Sequence, residues 1–192
     1  MLQVALTPDR VEAALAARGL ACPDCCGPLS PWGYARSREV RLRATARSVT
    51  PRRARCGACE TTHVLSPAWM IPRRRDGAEV IGEALALAAA GAGHRTIAHR
   101  LQRPAGTVRG WLRATRRRAG NLRACATRWT LMLDPEAAAV APVGSELGDA
   151  VEAIMLAVRA FVLRFGNTGT GPWERAVYLT GGLLHGQLRL PP

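Results

Sequence analysis

Four cysteines in two matched pairs, Cys22-Pro23-Asp24-Cys25 and Cys56-Gly57-Ala58-Cys59, are the residues of this chain best placed to do chemistry. Each pair sets two sulfurs on one tight turn, half of a tetrahedral site, and two such knuckles 30 residues apart complete it. Four soft ligands in a closed shell suit Zn2+ and leave no position open for a substrate, so the expected role is structural. Cys26 follows Cys25 directly and His63 lies just beyond Cys59, and either could replace Cys25 as a ligand. Arg53 and Arg55 flank the second knuckle, where they would favour thiolate and also suit phosphate. The rival readings are a dithiol redox pair or unrelated buried cysteines. Cys125 stands alone on an apolar stripe and reads as core. His63, His94, His99 and His185 have no evident catalytic partner, and no catalytic residue is assigned.

The surroundings of these cysteines are basic. The 192 residues carry a formal net charge of +13, and all 27 basic residues are arginine, a bias that reflects GC-rich coding as much as function. Position says more than number. Residues 1–75 hold 13 Arg against 5 acidic residues, residues 76–120 hold 8 against 3, and residues 121–192 hold 6 against 6. A polyanion-binding surface is therefore expected in the first two segments and not in the last. Residues 1–6 lack the basic start of a secretory peptide, and Glu152, Arg159 and Arg164 interrupt the most apolar stretch, Ala150 to Phe165, before it could span a bilayer. The expected location is cytoplasmic, without membrane contact, where paired cysteines more often hold metal than form disulfides.

Four units position these residues. Thr7-Pro8-Asp9 predicts a helix start and Gly19 its stop, giving an N-terminal helix over residues 1–19 with Val11, Ala14 and Leu15 facing a partner. Residues 20–72 break into short Pro- and Gly-punctuated segments that suit two to four strands of a small zinc ribbon. So few large apolar side chains would leave such a unit marginal without a metal staple. Residues 76–120 read as three helices, broken near Gly91-Ala92-Gly93 and Gln102-Arg103-Pro104. Residues 121–192 read as a helical C-terminal region, with one stripe over Leu122, Cys125, Ala126, Trp129 and Leu133, a longer one from Val151 to Phe165, and a last helix from Pro172. The fold class is thus mainly α with a small β zinc ribbon.

Within the second helical unit, steps of about 100° per residue put Arg109, Arg113, Arg116 and Arg117 in one arc, with Val108, Trp111, Leu112 and Thr115 in another. One arc packs and the other is basic. Gly106 and Gly110 keep the basic side slim, which suits entry into a major groove. The stretch Gly91 to Leu101 followed by Gln102 to Leu112 resembles the helix-turn-helix of bacterial regulators and transposases, through its Ile97-Ala98 pair, Leu101, Thr107-Val108 and Trp111-Leu112. The resemblance implies that Arg109 and Arg113 read base edges, that Thr107, Arg116 and Arg117 contact phosphate, and that Arg95 joins the DNA-binding surface. Arg103 departs from it by standing where a buried Val is usual, so that its aliphatic stem would have to fill the turn.

Taken with the cysteine knuckles, residues 20–120 resemble the N-terminal DNA-targeting region of insertion-sequence transposases and a group of uncharacterised bacterial zinc-ribbon/helix-turn-helix proteins. The acidic residues Asp134, Glu136, Glu146, Asp149, Glu152 and Glu174 are too few and too clustered at helix starts for a nuclease triad. The expected function is sequence-directed binding of double-stranded DNA by a non-enzymatic transcriptional regulator or mobile-element protein. Alternatives are an accessory or truncated transposase module serving a catalytic partner chain, and an RNA-binding zinc-ribbon protein. For residues 121–192 a homodimer interface, a monomeric helical cap and a transposase-docking surface all remain open.

Overall fold

The computed structural model describes residues 2–4, 7–137, 141–167 and 169–183. His185 lies outside them, as does the rest of the chain's end. The N-terminal part consists of β1 (Leu2–Val4), α1 (Pro8–Ala16), β2 (Leu29–Tyr34), β3 (Arg38–Arg41), β4 (Ala46–Val49), β5 (Arg52–Cys56) and β6 (Thr62–Pro67). Helices α2 (Ala78–Ala89), α3 (His94–Leu101), α4 (Ala105–Arg116), α5 (Ala119–Leu133), α6 (Glu146–Phe165) and α7 (Pro172–Leu179) follow.

The strands form a four-stranded mixed sheet in the order β1-β6-β5-β2, and β3 pairs with β4 in a separate hairpin. Residues 20–72 thus contain five strands, one more than the upper expectation, because the Arg-rich stretch from Arg38 to Val49 makes a hairpin of its own. β1 was not expected at all. Its three residues carry no readable period and gain their partner from far along the chain, lying parallel to β6 with Leu2 opposite Leu65. α1 places Val11 and Leu15 in a small core with Val4, Leu29, Ala54 and Leu65, and the buried Cys22 and Cys56 belong to the same cluster.

The ends of α1 differ from their sequence expectation. Thr7 occupies the N-cap position with extended backbone, but its side chain makes no cap hydrogen bond. The stop is made by Arg18 in the left-handed region (φ 53°) and not by Gly19, whose backbone N–H donates to the Ala14 carbonyl at 2.8 Å.

The helices share one larger core that runs from Ile71 through α2, α3 and α4 to α5, α6, α7 and Leu183. α5 and α6 pack side by side, and Leu147, Ala150, Val151, Ala153, Ile154, Ala157 and Val158 bury most of one face of α6. Ser145 caps that helix by accepting from the Gly148 N–H at 3.0 Å. α7 is capped from another helix: Glu79 of α2 accepts from the backbone N–H groups of Trp173 and Glu174 at 3.0 and 3.3 Å. Gly82 makes that contact possible, since a Cβ there would fall 2.0 Å from the Trp173 ring. Among the described residues no helix is long and apolar enough to cross a membrane.

Candidate metal centre and nucleic-acid interface

The sheet brings the two cysteine pairs to one end. β2 runs antiparallel to β5 with Leu29 opposite Cys56, so the turn carrying Cys22 and Cys25, just before β2, meets the turn carrying Cys56 and Cys59, just after β5. The four sulfurs lie within 4.8 Å of one another. Cys22 to Cys59 is 3.7 Å and Cys25 to Cys56 is 3.4 Å. A tetrahedron of Zn–S bonds of about 2.3 Å would set sulfur–sulfur edges of about 3.8 Å, so the donor set fits such an ion.

The turns are shaped around the sulfurs. The Asp24 N–H donates to Cys22 Sγ at 3.3 Å and the Ala58 N–H to Cys56 Sγ at 3.4 Å, the arrangement that stabilises thiolate. Gly27 lies where the knuckles meet. A Cβ there would stand 2.9 Å from the Ala58 Cβ, 3.1 Å from Cys56 Sγ and 3.3 Å from Cys25 Sγ, so any side chain would wedge the pairs apart.

Proton affinities divide the four groups. The Thr61 hydroxyl and backbone N–H hold Cys59 down at about 6, and the Cys59 backbone N–H lowers Cys56. Burial pushes Cys22 up. At Cys25 the Gly27 N–H pulls down, but the neighbouring sulfurs of Cys56 and Cys59 outweigh it and push the thiol up to about 12. Four sulfurs this close cannot all carry charge without a cation between them, which is the electrostatic condition a metal relieves.

Cys25, and not Cys26, completes the four-sulfur cluster; Cys26 adopts a left-handed turn conformation (φ 61°) and belongs to no metal-competent group among the described residues. His63 is buried behind the cluster, opposite Ala54 on β6, with Nε2 3.3 Å from Cys22 Sγ and 3.6 Å from Asp24 Oδ2. Cys22, Asp24 and His63 could themselves form a second ligand group, sharing Cys22 with the first. Cys125 is buried, with its thiol directed at the Leu179 carbonyl 3.8 Å away.

The basic residues assemble around α3 and α4, which are joined by the three-residue turn 102–104. Val108, Trp111, Leu112 and Thr115 of α4 are buried in the helical core, so Trp111 is not a stacking platform. Arg109, Arg113, Arg116 and Arg117 are exposed on the opposite arc, Arg95 is exposed near the start of α3, and Thr107 is half-buried. A Cβ at Gly106 or Gly110 would meet nothing within 4 Å, so packing inside the chain does not require glycine at either position.

One part of the site was invisible in the sequence. Arg103 anchors the turn through its head group: its Nε donates to Asp76 Oδ1 at 2.6 Å and its Nη2 to the Leu42 carbonyl at 2.7 Å. Asp76 is 2% exposed and also accepts from Arg41 Nη2 at 2.7 Å. This buried carboxylate ties the α3–α4 turn to the β3–β4 hairpin. Isolated Asp and Arg residues 27 or more positions apart carry no pattern that would have revealed the pairing.

Residues 22–111 match a domain of unknown function, DUF6431. The matched segment opens at Cys22, the first cysteine of the cluster, and closes at Trp111, so it takes in the cysteine cluster, the Asp76 tie and most of the α3–α4 pair, while α5, α6 and α7 lie beyond it. No curated protein and no solved structure matches the chain.

Proposed function

We propose that this chain is a non-enzymatic, zinc-stabilised DNA-binding protein of the cytoplasm, in which α3 and α4 form a helix-turn-helix and α4 enters the major groove of a duplex. The observation that carries the reading is the division of α4 into a buried apolar arc and an exposed arc of four arginines, interrupted only by glycines that internal packing does not need. Each glycine costs a helix roughly 1 kcal/mol relative to alanine. A close approach of DNA backbone and base edges gives that cost a purpose.

In this reading Arg109 and Arg113, nearer the start of α4, reach base edges, while Thr107, Arg116, Arg117 and Arg95 hold phosphate and fix the register. Zn2+ bound by Cys22, Cys25, Cys56 and Cys59 closes the ribbon and supplies no reactive chemistry. His63 and Asp24 pack against Cys22 and hold that ligand in place. Regulation of transcription and service to a mobile element, alone or beside a catalytic transposase chain, are the biological settings we infer.

The homodimer reading has a surface to use. Leu131, Met132, Leu163 and Phe165 are exposed at the ends of α5 and α6 that lie farthest from the Ser145 cap.

The test is fluorescence anisotropy on duplex DNA across a salt series. Arg117→Ala should weaken all duplexes alike and lower the salt slope by about one unit, whereas Arg109→Ala should relax preference at one base pair. Indistinguishable effects would defeat the assignment. An RNA-binding reading finds support in Trp32 and Tyr34 of β2, both exposed, with Arg55 and Arg52 stacked over their rings at 4.8 and 4.5 Å. Tighter binding to single-stranded RNA than to duplex DNA at equal salt, lost in Trp32→Ala, would move the function there.

A further inference from the structure

A cleft of about 880 Å³ opens between the β2–β3 connection, β6 and the chain leading into α2. Its wall carries Arg36, Arg38, Arg41, Arg73, Arg74 and Arg75 against a single acidic residue, Glu39. Among the described residues only Arg41 of these six is paired with a carboxylate, Asp76. Beyond the paired Arg41, five arginines and a single carboxylate line the same cleft, an excess of like charge that raises its energy.

Two of these arginines are also partly stripped of water. The Nε atoms of Arg38 and Arg74 are buried without a hydrogen-bond partner. Burial lowers both guanidinium pKa values, and at Arg74 the charge of Arg118 adds to the effect. A buried N–H donor without an acceptor is costly, and a charged one more so, unless a ligand completes it. Arg73 turns the chain through a left-handed conformation (φ 61°) unusual for a residue with a side chain, which lets three consecutive arginines diverge around the opening.

We propose that this cleft is a phosphate-binding site that grips the backbone of the same duplex read by α4. Planar guanidinium groups match phosphate oxygens in pairs, and an oxyanion in the cleft would offset the like charge that lines it. The position fits. Arg41 lines the cleft and Arg103 stands in the α3–α4 turn, and both bond to Asp76, so the cleft and the turn that leads into α4 share one anchor. The Asp76 tie fixes the two surfaces to each other without filling the cleft. The inference deepens the DNA-binding reading and rests on it.

The experiment uses the full, zinc-loaded chain. Arg36 and Arg73 are exposed, so Arg36→Gln with Arg73→Gln should leave folding intact, and thermal denaturation checks this. Duplex affinity measured across a salt series should fall in this double variant. The slope of log affinity against log salt should drop by about 1.8, at about 0.9 for each lost phosphate contact. Arg74→Gln should weaken binding in the same way. Sodium pyrophosphate should compete with duplex for the wild type and lose that effect in the variants.

An unchanged slope in the cleft variants, alongside a reduced one in Arg117→Ala, would overturn the cleft while leaving α4 as the DNA reader. An unchanged slope in both sets would overturn the cleft and the DNA reading together. Pyrophosphate binding that depends on the cleft while duplex binding does not would assign the site to a small phosphorylated molecule. Polyglutamate binding with the same dependence would assign it to an acidic protein. Either result overturns the proposal.

Discussion

The cysteine-bearing sheet and the helical body solve the same problem with unequal means. The sheet's core holds eight buried residues, and two of them are Cys22 and Cys56 of the sulfur cluster, so it has little apolar surface of its own. The helical core runs through six helices, with Trp111, Leu85, Ile97, Leu101, Leu112 and Leu122 fully buried. The lesson is a division of labour. In residues 1–75 seven of the 13 arginines are exposed and six are half-buried, whereas the helical body keeps one arc of α4 in its core and leaves the other to solvent.

The largest effect should follow from breaking coordination. Cys56→Ser, or chelation of the wild type, should unfold the ribbon while the α2–α7 body keeps most of its helical signal, as followed by circular dichroism and by the fluorescence of Trp32 against Trp111. Loss of all structure in one step would show that the helices depend on the metal too. Next in size is the tie between the halves. Asp76→Ala strands Arg103, whose side chain is 10% exposed, and should cost about 3 kcal/mol in denaturant unfolding. A cost near zero would mean that the two regions fold independently of their contact.

Gly27→Ala should be milder in stability and sharper in metal affinity, because the new methyl presses on Cys56 and Cys25 from 3.1 and 3.3 Å; competition with a chromophoric chelator reads it. Proton uptake gives a related check. Without metal, Cys25 at about 12 and the raised Cys22 hold protons at neutral pH, whereas Cys59 at about 6 does not. Zinc binding near pH 7.5 should therefore release protons into a weakly buffered solution, and affinity should fall as the pH falls, most steeply once Cys59 also protonates. The smallest effect belongs to the helical side. Gly110→Ala should stabilise α4 by up to about 1 kcal/mol while weakening duplex binding, a trade that a purely solvated face would not show.

Much of this was legible in the residues. The cysteine spacing singled out the four sulfurs that the sheet collects, and the 100° step along α4 separated the buried Val108, Trp111, Leu112 and Thr115 from the exposed arginines, because helical period and knuckle spacing are local properties. What was missed is non-local. β1 exists because β6 offers it an edge, Arg18 ends α1 where a glycine stood one residue away, and Arg103 pairs with an aspartate 27 residues earlier. The arginines of the basic cleft are likewise scattered from Arg36 to Arg75 and meet only when the hairpin and the chain before α2 come together. The resemblance to transposase targeting regions has no counterpart among matched proteins, and the DUF6431 segment carries no assigned role.

The most direct test of the account is selection of bound sites from a random duplex library by the full, zinc-loaded chain. The account predicts enrichment of a short motif, with preference at one position lost in Arg109→Ala. Recovery of no motif, with binding indifferent to Arg109 and Arg113, would contradict it.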